Sequence, residues 1–256
     1  MKENQFKTNR RVHVLIPAFN ESENIVDVVA ELLNQRNGDA RSVDTVIVCD
    51  NASTDNTAEL AIEAGATVVH EPEMGYGAAC LSAMAKLADM GVQGNDVVVF
   101  VDGDHSVFTP EINLMVEQLK SNRGLVVGAR QVKQQERGAM SIHQQVGNII
   151  ASKMIQFIWG TKVTDLGPFR AMYYRDLVQL NMQDRKFGWT TEMQVKAIQH
   201  GLPYSELNIT TRRRRGRSKI SGTIKGTIGA AHGIFSTIFW LWWQARSNEL
   251  SDELYR

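Results

Sequence analysis

Short, strongly apolar runs recur along the first half of the chain, each followed by a segment with helical spacing. This alternation constrains the fold more than any other feature. Val12–Ile16 (VHVLI), Val43–Cys49 (VDTVIVC), Ala66–His70 (ATVVH), Asp96–Val101 (DVVVFV) and Leu125–Ala129 read as strands. Between them Glu21–Gln35, Asp55–Ala64, Gly75–Met90 and Pro110–Lys120 read as helices, with Ser22 and Thr109 placed to cap and Pro110 in a first turn. Apolar strands separated by helices predict an α/β fold: right-handed βαβ units and a mainly parallel central sheet with helices on both faces.

The second half departs from this rhythm. Gln131–Met140 is polar and reads as a mobile loop, and Ile142–Trp159 as a helix. Asp165–Tyr174 reads as a loop entering a strand, Trp189–His200 as a helix and Pro203–Thr211 as an extended segment. Arg212–Lys219 (RRRRGRSK) places six cations in eight residues, and the apolar stretch Ile220–Trp243 follows. No internal repeat is visible, and 256 residues fit one large α/β domain. The expected division is a tail over 1–10, the main domain over 11–220, and an apolar helical segment with a polar tail over 221–256.

Composition excludes several classes. With 43% hydrophobic and 22% charged residues the chain is globular. Its 28 cations balance 28 anions, so it is no general polyanion binder and no nucleic-acid partner is expected. Cys49 and Cys80 are too few for a disulfide framework or a zinc cluster and read as buried reduced thiols. With the polar start MKENQFKTNRR, they imply a cytoplasmic compartment. Ile228–Trp243 is shorter than the roughly 20 residues that span a bilayer and contains His232. Trp240, Trp242 and Trp243 beside the arginine cluster suit peripheral contact with the inner face of a membrane; a core or homodimer contact is the competing reading.

In open α/β sheets ligands collect at the carboxyl ends of the strands. Three polar clusters fall there: Pro17–Glu21, Asp50–Asp55 and Asp102-Gly103-Asp104. Asp102 and Asp104, held close by the tight backbone that Gly103 permits, are suited to one Mg²⁺ or Mn²⁺ bridging to substrate phosphates. The same tripeptide also makes an ordinary acidic turn. Asp50 is placed to accept hydrogen bonds from a base or ribose, or to cap the next turn. Gly75 and Gly77 open a helix and suit close approach of a phosphate or ribose to the backbone. The fingerprint of a nicotinamide-binding fold is missing. The Arg212–Lys219 run reads either as a solvated face or as a loop of guanidinium groups that clamps phosphates. His105 directly follows the acidic pair but is not assigned a catalytic role.

These clusters together resemble the family 2 glycosyltransferases of GT-A fold: PAFNE at 17–21, CDNASTD at 49–55, GYGAA at 75–79 and DGD at 102–104. GAR at 128–130, TDLGPFRAM at 164–172, GWTTEMQVKA at 188–197 and RRRGRSKISGT at 213–223 look most like the dolichyl- or polyprenyl-phosphate sugar transferases. The resemblance spans roughly residues 10–230. It implies that Pro17, Ala18, Asn20, Glu21 and Asp50 bind the nucleoside of a nucleotide-sugar donor, and that Asp102 and Asp104 bind metal and diphosphate. It implies that Arg130, Arg170, Arg214, Ser218 and Lys219 lie near the donor diphosphate or a lipid-phosphate acceptor, with Arg214 acting in catalysis. Tyr76 replaces a lysine common in the broader family, and Asn51 a frequent second aspartate.

The implied reaction is a single inverting displacement at the anomeric carbon. A lipid-phosphate acceptor arrives already anionic, whereas a hydroxyl acceptor requires a base, for which Glu192 and Asp165 are the candidates. Two other classes compete. A haloacid-dehalogenase-type phosphatase also carries Asp-x-Asp after a strand, although normally the first strand. An inactive nucleotide-binding module would keep the fold without turnover.

Overall fold

The computed structural model describes residues 10–135, 142–212, 215 and 224–254. Its first half runs β1 (Val12–Ala18), α1 (Ile25–Leu33), a short hairpin of β2 (Arg36–Asn37) and β3 (Ala40–Arg41), then β4 (Thr45–Asp50) and α2 (Thr57–Glu63). It continues through β5 (Thr67–His70), α3 (Tyr76–Asp89), β6 (Val97–Phe100), a 3₁₀ turn over Thr109–Glu111, α4 (Ile112–Ser121) and β7 (Leu125–Gln135). The second half holds α5 (Ile142–Trp159), β8 (Arg170–Tyr173), α6 (Tyr174–Gln179), α7 (Trp189–Gln199), β9 (Tyr204–Thr211) and α8 (Ile224–Leu254).

The main sheet has seven strands in the order β5-β4-β1-β6-β8-β7-β9. The first four are parallel; β8 is antiparallel to both β6 and β7, and β9 is parallel to β7. Alternating side chains of each central strand enter opposite cores, so both faces are buried. Val14, Ile16, Val46, Val48, Val97 and Val99 pack with α1, α2 and α4. Leu15, Ile47, Val98 and Phe100 pack with α3 and α7. A third core lies between α5, α7 and α8, through Ala151, Ile155, Val195, Ile238 and Leu241. Cys49 and Cys80 are fully buried free thiols, and burial pushes Cys49 up to about 12. Among the described residues, no helix is long and apolar enough to cross a membrane.

The α/β alternation is as expected, with local differences. The helix read from Glu21 begins at Ile25, because Asn24 and Ile25 both donate backbone N–H groups to the Glu21 carbonyl in a preceding turn. Asn24, not Ser22, is therefore the residue at its start. Thr109 does not cap its helix; its hydroxyl donates to Glu31 at 2.6 Å. Strand β7 runs to Gln135 through half of the segment read as a loop, because β9 pairs along it as far as Gln135. Residues 136–141, which complete that expected loop, lie outside the described residues, as do the first nine.

Candidate active site

The chain leaves β1 for β4 on one side and later returns to β6 on the other. The crevice at this topological switch point is where an open α/β sheet binds ligands. Three loops meet there, and each contains a non-glycine residue with positive φ: Asn20 (53°), Ala52 (58°) and His105 (60°). Such residues are uncommon and persist where the surroundings hold them. Here those surroundings are visible. Asn20 accepts the Thr54 N–H at 2.7 Å and donates its own N–H to the Ser53 hydroxyl at 2.9 Å. Glu21 N–H donates to the Thr57 hydroxyl at 2.8 Å. Asn51 donates to the carbonyls of Glu71 (3.0 Å) and Glu73 (2.7 Å) and accepts the Gly75 N–H (2.8 Å).

The loops enclose a cavity of about 410 Å³. Its lining includes Pro17, Ala18, Glu21, Asp102, Gly103 and Asp104, six of the residues expected to bind donor or metal. Gly103 fits against Ile16, Ala18 and Glu21, and an added Cβ would come within 3.3 Å of Ile16. Asn20 and Asp50 flank the cavity. Asp50 faces His70 Nδ1 at 3.2 Å, while its other oxygen is buried with no hydrogen-bond partner among the described residues. The Tyr76 hydroxyl, which also lines the cavity, donates to Asp102 at 3.1 Å. Burial, and then the Asp102 charge, holds the phenol well above its ordinary value. Asp104 accepts the Ser106 N–H at 3.0 Å, which sets its carboxylate across the turn.

This donor set fits a divalent cation of the Mg²⁺ or Mn²⁺ kind. Among the described residues no cluster of three or more His, Cys, Asp or Glu is placed to cage an ion. Two carboxylates at the wall of a substrate-sized cavity are the arrangement by which such ions are held jointly with substrate phosphates.

Gly77, Arg170 and Arg130 are not part of the cavity lining. Gly77 is buried, its N–H donates to the Lys186 carbonyl at 3.0 Å, and an added Cβ would overlap the Asp184 carbonyl. Its lack of a side chain lets the 184–186 segment pack against it. Arg170 is 1% exposed. Its guanidinium donates to the carbonyls of Gly167 (2.7 Å) and Thr190 and to Gln194 (3.0 Å), and burial lowers it to about 10. It braces β8 against α7.

Arg130 pairs with Asp165 at 2.8 and 2.6 Å. Burial alone would lower this guanidinium, but Asp165 and, more weakly, Asp102 and Asp104 raise it. Asp165 also accepts the Arg130 backbone N–H at 2.7 Å. Glu192 accepts the N–H groups of Gln183 and Asp184 and pairs with Lys196 at 2.7 Å. Both expected base candidates are thus buried in structural pairings. Arg214, Ser218 and Lys219 lie outside the described residues.

Sequence reasoning missed Met74, Lys186 and Phe187, which close the far wall of the cavity. The signal for the last two was the Lys-Phe-Gly run just before α7. It also missed a cluster at the cavity's flank. Glu31 faces His105 Nε2 at 2.9 Å, accepts from Arg212 at 3.0 Å and from Thr109, while the Arg212 guanidinium lies over the Phe108 ring at 4.8 Å. Burial raises the Glu31 carboxyl, but these three partners outweigh it and lower it overall.

A mainly parallel sheet with an acidic pair over its switch point defines an α/β protein of the GT-A glycosyltransferase architecture. Among solved structures, glucosyl-3-phosphoglycerate synthase from Mycobacterium tuberculosis, in complex with Mn²⁺, uridine diphosphate and phosphoglyceric acid, shares this fold. Its TM-score is 0.70 at 20% identity, over 92% of this chain and 80% of that one. The sequence model of glycosyl transferase family 2 matches residues 13–180, and the chain belongs to that family. An uncharacterized glycosyltransferase of Mycobacterium bovis is 29% identical over 85% of this chain and 93% of its own length. The dolichyl-phosphate hexose transferase of Haloferax volcanii is 26% identical over 81% and 85%. The polyprenol monophosphomannose synthase of Mycolicibacterium smegmatis is 26% identical over 85% and 83%.

Proposed function

We propose that the protein transfers a hexose from a nucleotide-sugar donor to a polyprenyl-phosphate-type lipid, with inversion at the anomeric carbon and with a divalent metal. The observation that carries this is the pairing of the Asp102–Asp104 cavity with the absence of an available base at the expected positions. Asp165 and Glu192 are spent on Arg130 and Lys196. A hydroxyl acceptor needs a base to take its proton. A lipid phosphate is an anion near neutral pH and needs none. The names of the haloarchaeal and mycobacterial relatives support the same acceptor class. The Mn²⁺ and uridine diphosphate bound in the similarly folded synthase support the donor class and the metal.

In this reading Pro17, Ala18, Asn20, Glu21 and Asp50 receive the nucleoside. Asp102 and Asp104 hold the metal, which when bound supplies positive charge against the diphosphate. Tyr76 keeps Asp102 aimed at the cavity through its hydroxyl hydrogen bond. Arg130, Arg214, Ser218 and Lys219 orient the phosphates of donor and acceptor. An acceptor phosphate oxygen forms the new bond to C1 as the bond from C1 to the diphosphate breaks, and the nucleoside diphosphate leaves with that electron pair.

The test supplies a panel of labelled UDP-, GDP- and dTDP-hexoses with a short-chain polyprenyl phosphate or the matching polyprenol in detergent, with Mn²⁺ or a chelator. Transfer is expected to the phosphate alone, lost with chelator and slowed about a hundredfold or more in Asp104→Asn. Product on the polyprenol, or equal rates with chelator, overturns the reading. Retention of the donor's anomeric configuration overturns the single displacement.

A further inference from the structure

The cavity wall is lopsided in charge. Glu21, Asp102 and Asp104 line it, and among the described lining residues Lys186 is the one cation. A metal held by Asp102 and Asp104 offsets those two carboxylates and leaves little positive charge over for a nucleotide. A nucleotide-sugar donor brings an anionic diphosphate into this space, and the negative charge on it grows as the bond to C1 breaks. Arg130 lies outside the lining and is held at two points by Asp165.

Lys186 is anchored at its backbone and loosely tethered at its tip. Its carbonyl accepts the Gly77 N–H at 3.0 Å, its own N–H donates to Asp184 at 2.7 Å, and the neighbouring Arg185 carbonyl accepts the Ala78 N–H at 2.9 Å. The side chain, by contrast, is 58% exposed. Its ammonium rests on the Glu73 carboxylate at 3.0 Å and the Met74 carbonyl at 2.7 Å, and both of those residues are exposed. An exposed ion pair contributes little and is readily exchanged. Arg185 donates to the other Glu73 oxygen at 2.7 Å, so Glu73 keeps a cation when Lys186 leaves. A compact charge on a flexible four-carbon stem, with donors that turn freely, is suited to following a phosphate.

We propose that Lys186 is a donor-binding residue. When the nucleotide enters, its ammonium leaves Glu73 for the diphosphate; when the nucleoside diphosphate departs, it returns. Glu73, still paired with Arg185, is the resting place that keeps this cation at the cavity rim. The inference rests on the reading above that a nucleotide sugar occupies the cavity, and it adds a residue to that reading. The competing role is a fixed clasp, in which the Glu73–Lys186 pair only ties the 71–75 segment to the 184–187 segment and so holds the far wall closed. The two roles differ in sign: a resting place competes with the ligand, whereas a clasp supports its binding.

The experiment is titration calorimetry of the full chain with UDP, GDP and dTDP, each with Mn²⁺, repeated on variants with whichever nucleotide binds. Lys186→Met is expected to weaken binding roughly tenfold or more, the effect of one charge-assisted hydrogen bond. Lys186→Arg, which keeps the charge, is expected to stay within about threefold of wild type. Glu73→Gln is expected to bind as tightly as wild type or tighter, because the ammonium then has less to give up. Equal affinity in Lys186→Met overturns the proposal. So does equal weakening by Glu73→Gln, which is the result of a clasp. A raised KM for polyprenyl phosphate in Lys186→Met with nucleotide affinity intact also overturns it, since the ammonium would then serve the acceptor. Wild type that binds none of the three nucleotides would sink the proposed function and this inference together, whereas equal affinity in Lys186→Met sinks this inference alone.

Discussion

Asn51 sits among three backbone groups of one turn and serves all of them with a single amide. Its NH₂ meets two carbonyls, at Glu71 and Glu73, and its oxygen meets the Gly75 N–H. A carboxylate keeps the last bond through one oxygen but turns the other, which has lone pairs and no hydrogen, toward both carbonyls. Each buried polar group left unpaired costs about 1–3 kcal/mol. Asn51→Asp is therefore expected to lower unfolding free energy by roughly 2–4 kcal/mol in urea titration, and by more than Asn51→Ala. This is the physical content of a substitution that the sequence showed only as a departure from family habit, because the partners lie 20–24 residues further on. Asp102 and Asp104 were legible for the opposite reason: strand, turn and both carboxylates are local. The pairings of Asp165 and Glu192 were not legible, because Arg130 lies 35 residues away and the Gln183–Asp184 turn is invisible to helical periodicity.

At the scale of elements, the start of α3 shows how a glycine motif acquires a different use. Gly75 and Gly77 look like a phosphate-binding turn, but the 184–186 segment lies against them. Their carbonyl neighbours accept the first free N–H groups of the helix, at Gly77 and Ala78. Those donors are the ones a bound anion would otherwise use. Gly77→Ala is expected to lower stability by about 3 kcal/mol or more through overpacking. The donor dissociation constant of the folded protein, measured by titration calorimetry, should stay within about twofold because no ligand-facing atom changes. Unchanged stability with weakened donor binding would return Gly77 to the nucleotide site. The strands and helices of the first half were legible because each carries its own period. The antiparallel insertion of β8 and the continuation of β7 were not, since both depend on pairing with distant strands.

For the whole molecule, the base of the sheet sets a pH limit on stability. His13 lies in the central strand, 2% exposed, with Nδ1 lacking a hydrogen-bond partner among the described residues. Burial lowers its pKa, and the nearby Asp96 only partly offsets this. The unfolded chain takes up that proton near pH 6.5, and the folded protein only below it. Stability is thus full above about pH 6.5 and declines as pH falls toward the lowered folded value, by at most about 1.4 kcal/mol per pH unit. Urea midpoints taken between pH 7.5 and 5 are expected to fall, and His13→Leu should flatten that slope by up to one proton's worth. Asp96 acts in a separate, more acidic window. Burial raises its carboxyl, but N–H groups of Gln93 and Arg11 and the Arg11 side chain more than compensate, so its contribution persists above the ordinary aspartate value and is lost as pH drops through the lowered one.

The place of β8 between β6 and β7 has a consequence for how the protein is made. Strand β6 finds one neighbour in β1, already synthesised, but its other edge is paired only by β8, which begins 70 residues after β6 ends. At about 5–20 residues per second, translation takes roughly 4–14 s to cover that gap. Throughout that interval Val97–Phe100, four buried apolar residues in the finished fold, presents an open strand edge on the nascent chain. The polypeptide is its own late chaperone: what ends the exposure is the arrival of Arg170–Tyr173.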